Sequence, residues 1–130
     1  YRCGTGHSVS FVGNVHEGPH ALNGRNTVVF QPGMIVTDEP GVYEGGQVGI
    51  RIENELMCVH KADNQYGTFL GFEPIMFVPI ATSPVVPGVL TRDELDWLNA
   101  YHREVFTKLA PHLTEEERDW LAKKCAAIGA

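Results

Sequence analysis

Thr37-Asp38-Glu39-Pro40-Gly41-Val42-Tyr43-Glu44-Gly45-Gly46-Gln47-Val48-Gly49-Ile50-Arg51-Ile52-Glu53-Asn54 is the stretch on which the fold turns. It places two glutamates, Glu39 and Glu53, in segments that read as strand on either side of Gly45-Gly46. Two strands joined by a glycine-containing loop predict a hairpin. Side chains alternate faces along a strand, so such a hairpin can set both carboxylates on one face. A buried pair of carboxylates is costly, because like charges repel and desolvation penalises each of them. A cation between them removes that cost. Upstream, Gly4-Thr5-Gly6-His7 offers an imidazole in a glycine-rich setting. Oxygen and imidazole donors together suit divalent ions such as manganese, cobalt or zinc.

Working outward, the first 80 residues hold most of the β-type residues and nearly all the glycine. Ser8 to Val12, Thr27 to Phe30, Met34 to Asp38, Gly49 to His60 and Ile75 to Ile80 are the predicted strands. In the longest, Ile50, Ile52 and Asn54 share one face, and Arg51, Glu53 and Glu55 share the other. A solvated second face reads as well as a functional one from this pattern alone. Asp38 alternates away from Glu39 and reads as a solvated carboxylate. Residues 81–90, with Pro84 and Pro87, form a connector. Residues 1–80 and 81–130 are thus the expected divisions. Beyond the connector, Thr91 with Glu94 and Thr114 with Glu117 match the capping box that opens a helix. Leu95, Leu98, Tyr101, Val105 and Leu109 then recur at helical spacing until Pro111, and Leu121, Cys125 and Ile128 follow the second box. Trp97 and Trp120 read as core anchors of these helices, and His60, His102 and His112 as ordinary histidines.

Composition narrows the function classes. The 130 residues suit one domain-sized core. With 16 acidic against 10 basic residues the formal charge is −6. That charge and the absence of a Lys/Arg cluster argue against nucleic-acid binding. Cys3, Cys58 and Cys125 are odd in number and far apart, which fits a reducing, intracellular setting rather than a disulfide framework. No apolar run reaches membrane-spanning length. Because Tyr1 opens inside a motif, the chain is expected to be the C-terminal part of a longer protein.

His16-Glu17-Gly18-Pro19-His20 formally matches the zinc-protease pattern His-Glu-x-x-His. That chemistry needs both histidines on one helix face, and an interior proline costs a helix about 3 kcal/mol. The pattern is therefore set aside, leaving His16 as a histidine on a turn. Gly4-Thr5-Gly6-His7-Ser8 is no nucleophile elbow either, so a serine hydrolase is unsupported. Arg51, on the face of Glu53, either orients a carboxylate or contacts a ligand; a plain surface ion pair is an equal reading.

Taken in order, Gly4-Thr5-Gly6-His7, Asn14-Val15-His16-Glu17-Gly18-Pro19, Pro32-Gly33-Met34, Glu39-Pro40-Gly41 and Gly49-Ile50-Arg51-Ile52-Glu53-Asn54 resemble the Xaa-Pro aminopeptidases of the pita-bread metallopeptidases. The resemblance continues through Phe69-Leu70-Gly71-Phe72-Glu73-Pro74, Val78-Pro79-Ile80 and Asp96-Trp97-Leu98-Asn99. It implies an α+β fold, the C-terminal half of a pita-bread domain with a mostly antiparallel curved sheet and a helical C-terminal extension. A sheet divided in this way is expected to expose apolar surface. It also implies metal ligation by His7, Glu39 and Glu53, and substrate contact and proton transfer by His16, with Arg51 supporting. Glu39, His16 and Arg51 become the expected catalytic set. The implied cofactors are two divalent ions, manganese first, with a hydroxide activated between them attacking the bond before proline. Peptides with proline second are the implied partners, in a cytoplasmic protein that forms a homodimer at full length. Where the family has a further substrate-pocket histidine, this chain has Cys3, a weaker donor. Two family aspartates would precede Tyr1, so the chain alone is expected to be inactive. The alternatives are a prolidase or methionine aminopeptidase of the same fold, and a non-catalytic binding module that kept it.

Overall fold

The computed structural model describes residues 3–129, with Pro87 by its backbone alone. They form two compact units, one ending at Met76 and the other beginning at Phe77.

In the first unit the strands are β1 (Ile35–Asp38), β2 (Gly41–Glu44), β3 (Val48–Arg51), β4 (Asn54–Asn64) and β5 (Gly67–Pro74). All their pairings are antiparallel: β1, β4 and β5 make one sheet in the order β1-β4-β5, and β2 with β3 makes a second. The two sheets share one register. Asp38 lies opposite Asn54, and beyond a two-residue gap Gly41 lies opposite Arg51. The gap falls at Glu39-Pro40 on one side and Ile52-Glu53 on the other, crossed by a single long bond from the Ile52 N–H to the Pro40 carbonyl (3.4 Å). Pro40 has no N–H to return to the ladder, which accounts for the break at this point. The hairpin is therefore present as expected, but the predicted strand Gly49 to His60 is two strands. Its turn, residues 45–47, places Gly46 at φ 72°, where glycine carries no steric penalty.

Three predicted strands did not form. Ser8 to Val12 keeps only the single bridge of Ser8 to Val36, because the chain turns back at once, the Ser10 N–H reaching the Asn14 carbonyl (3.1 Å). Thr27 to Phe30 and Ile75 to Ile80 lie outside every strand. In the latter, Pro74 and Pro79 remove a donor at each end. Conversely, β5 was not anticipated. Glycines at 67 and 71 weaken its signal, and its pairing with β4, bulged at Lys61, supplies what local propensity does not. On β2, β3 and the link after them, Val42, Val48, Ile50 and Ile52 stand about half exposed or more, as expected of a divided sheet.

The second unit follows its sequence pattern closely. α1 (Arg92–Leu109) and α2 (Glu115–Lys124) both open on complete capping boxes, at Thr91/Glu94 and Thr114/Glu117. Leu95, Leu98, Tyr101 and Val105 are buried along α1, with Leu121 and Cys125 opposite them from the second box. Pro111 sits in the short 3-10 turn Ala110–His112 between the helices. Residues 77–80 lie along α1, held where the Tyr101 hydroxyl donates to the Val78 carbonyl (2.9 Å) and the Ile80 N–H donates to His102 Nε2 (3.1 Å). Neither tryptophan anchors this core. Trp97 is 60% exposed and Trp120 56% exposed. Each stands one position off its buried stripe. Trp97 stacks on the outside of Tyr101, with ring centroids 5.9 Å apart, and Trp120 lies under the Lys124 ammonium.

Candidate metal centre

The site is built where residues 5–8 cross the end of β1. The Thr37 N–H donates to the His7 carbonyl (2.9 Å), and the Glu39 N–H to the Thr5 carbonyl (2.8 Å). On the other flank, the Leu22 N–H donates to Gly6 and the Ser8 N–H to His20. This crossing is why Gly6 is glycine: a Cβ there would collide with the Thr37 carbonyl oxygen and lie 2.7 Å from the Leu22 Cβ.

The crossing delivers His7 to Glu39, with Nε2 2.9 Å from Oε1. Glu39 is only 7% exposed, so its carboxylate must be satisfied by neighbours. Thr37 donates its hydroxyl to Oε1 (3.0 Å), and Arg51 pairs with Oε2. Arg51 is held in turn by its Nε, which donates to the Tyr43 hydroxyl (2.7 Å). Tyr43 and Arg51 lie diagonally across β2 and β3 on one face. The Tyr43 ring covers Gly41 and Gly49, where any added Cβ would meet it within 3 Å. His16 lies over His7, with ring centroids 4.1 Å apart.

His7 Nδ1 lies 3.1 Å from the Ser8 carbonyl and can only donate to it. Nε2 then faces the carboxylate oxygen, a contact closed equally by a proton on Nε2, as an ion pair, or by a cation held between the two groups. In an octahedral shell two adjacent donors, each about 2.1 Å from the ion, lie about 3.0 Å apart, so the spacing of the pair also suits a divalent cation. A backbone carbonyl fixing the far nitrogen of a ligating imidazole is the usual supporting contact of a metal-binding histidine.

Of the residues singled out in the sequence, His7, His16, Glu39 and Arg51 are thus brought together. Glu53 is opposite Glu39 in register, in the gap of the ladder, but its side chain is exposed and has no hydrogen-bond or ion-pair partner among the described residues. Among the described residues, no three His, Cys, Asp or Glu side chains gather as a metal-binding group. Cys3 is a half-buried free thiol, and Asp38 is exposed, as its alternation predicts. Residues 16–20 form no helix, and His20 instead bonds through Nε2 to the Ile35 carbonyl (2.7 Å). Sequence reasoning missed Thr37 and Tyr43. Thr37 was within reach, since two residues apart on a strand means one face with Glu39. Tyr43 needed the register.

A buried glutamate and a histidine side by side, on an antiparallel α+β frame, offer the oxygen and imidazole donors that suit a divalent cation. The model of metallopeptidase family M24 matches residues 1–60, and that of the C-terminal region of peptidase M24 matches residues 68–128. The chain belongs to the M24 metallopeptidases. It is 48% identical to aminopeptidase P2 of Arabidopsis thaliana over 93% of its length, and 42% identical to aminopeptidase P1 of Lotus japonicus over 99%. It spans about a fifth of the length of these relatives, 18% and 20% respectively. It superposes with a TM-score of 0.84 and 39% identity on an X-prolyl aminopeptidase of Caenorhabditis elegans, described as a cytosolic enzyme with a di-nuclear active site. That match covers 96% of this chain and 21% of the other. The fold is accordingly the expected α+β one, a pita-bread C-terminal half with a helical extension.

Proposed function

We propose that this chain carries part of the active site of a metal-dependent aminopeptidase that releases an N-terminal residue preceding proline. The observation that carries the reading is the buried Glu39 carboxylate lying 2.9 Å from His7 Nε2. His7, Glu39 and Glu53 would hold the metal, two divalent ions in all, with manganese first and cobalt or zinc next. Bound there, the ions would supply a Lewis acid and an acidified water. The remaining tasks fall to the protein. Arg51 fixes Glu39 through Oε2, and Tyr43 fixes Arg51. His16, exposed beside His7, would bind the peptide and move a proton, and Cys3 would contribute to the substrate pocket. Peptides with proline in second position are the substrate class, taken up by a cytoplasmic protein that is a homodimer at full length. The relatives' names support that substrate class. The cytosolic setting described for the Caenorhabditis elegans neighbour supports the location.

The test is hydrolysis by the full-length protein of Xaa-Pro-Xaa tripeptides against Xaa-Pro dipeptides, with and without manganese. Metal-dependent release of the first residue from the tripeptide is expected. Turnover of the dipeptide alone would make it a prolidase, and none of either a binding module. The 130 residues alone, offering His7, Glu39 and Glu53 as ligands, should show no turnover.

A further inference from the structure

We propose that Thr37 is a positioning residue for the metal centre, setting the angle at which Glu39 meets a cation; this rests on the function proposed above. The Thr37 side chain is almost completely buried, at 2% exposure, in a place where the backbone alone would complete β1. Its hydroxyl is committed at both ends. It accepts the His7 backbone N–H (2.9 Å) and gives its one proton to Glu39 Oε1 (3.0 Å), the oxygen that faces His7 Nε2. The His7 carbonyl, at 3.5 Å, is the poorer acceptor for that proton. A single side chain therefore ties the backbone of one ligand to the carboxylate of the other, across 30 residues of sequence.

Three consequences follow from the geometry. With Thr37 on one oxygen and Arg51 on the other, the Glu39 carboxylate cannot rotate about its last bond without losing a partner. One lone pair of Oε1 is taken by the hydroxyl, which leaves the other for a cation on the His7 side. Because the hydroxyl also holds the His7 N–H, any shift of residues 5–8 is transmitted to the carboxylate. Hydrogen bonds from outside the ligand set orient ligands in this manner, and their loss usually costs roughly 10–100-fold in metal affinity or activity.

The test uses Thr37→Val, which keeps the shape and the strand preference but removes the hydroxyl, and Thr37→Ser, which restores it. Manganese affinity of the full-length protein is measured by calorimetry, alongside the thermal midpoint of the metal-free form. The valine variant is expected to bind manganese roughly 10–100-fold more weakly, and the serine variant to bind it like the parent, the hydroxyl being the group that matters. Equal affinity for valine and parent would overturn the proposal, and so would a serine variant as weak as the valine. A purely structural role would lower the metal-free midpoint and leave affinity unchanged. Should the valine variant fail to fold, Thr37→Ala, which leaves room for a water at the same place, is judged by the same affinities. Glu39→Gln separates the two readings. If it binds manganese like the parent, the metal site itself is wrong; if it loses binding while Thr37→Val does not, only the role of Thr37 is lost.

Discussion

The two units of this chain fill their interiors with opposite materials. In the unit ending at Met76 the buried positions include Ser8, His20, Thr37 and Glu39 beside Val36 and Cys58. From Phe77 onward they are Leu95, Leu98, Tyr101, Val105, Ala110, Leu121 and Cys125, with His102 the buried polar side chain among those described. Apolar burial is non-directional and contributes in proportion to area, so it stabilises without requiring one arrangement. A polar interior must satisfy each donor and acceptor, and so it dictates one. The first unit is organised to hold groups in place, and the second to hold itself together.

That contrast can be broken by mutation. Leu121, 2% exposed in the helical core, should be the most sensitive packing position. Leu121→Ala is expected to cost about 2–5 kcal/mol of stability, read by denaturant unfolding, with manganese affinity of the folded full-length protein unaltered. A loss of affinity in that folded variant would show that the division of labour is false. Gly6→Ala should do the reverse. Its Cβ has no room against the Thr37 carbonyl, so β1 or residues 5–8 must move, at about 1–3 kcal/mol for an overpacked site. Here metal affinity and Xaa-Pro hydrolysis should fall together, because the displaced backbone carries both His7 and Thr37. Unchanged affinity would detach the crossing from the site.

The smallest effect sharpens the comparison from the other side. His102 is fully buried, and burial holds its imidazole below the ordinary 6.5. Its Nε2 accepts the Ile80 N–H only when unprotonated. Tyr101 lies beside it, with ring centroids 6.0 Å apart, and residues 77–80 bring no titratable side chain. In the unfolded chain the ring protonates near 6.5, so acid favours unfolding. This stabilising contribution is complete above that value and is lost as pH falls through the lower, folded one. Melting temperature of the full chain from pH 7 to 5 should fall less steeply in His102→Gln than in the parent, and parallel slopes would refute it.

How far the sequence was legible follows the range of each interaction. Both capping boxes, the α1 stripe and the stop at Pro111 were readable because their partners lie within four residues. The hairpin about Gly45-Gly46 was readable because a turn sets register locally, and with it the pairing that puts Arg51 near Glu39. The exposure of Trp97 and Trp120 was not, since a tryptophan one step off a stripe differs from a core one only by what else is packed there. Nor was β5, whose glycines look like a loop until β4 pairs with it.

By itself, then, the sequence determined the element types of the helical unit and the hairpin, and it singled out His7, Glu39 and Arg51. The tertiary structure alone decided that the ribbon breaks at Pro40, that residues 5–8 cross β1 to bring His7 against Glu39, and that the Thr37 hydroxyl joins the two. Each of those depends on groups about a dozen to thirty positions apart, whose encounter costs loop-closure entropy and is settled by the whole set of contacts rather than by any local preference.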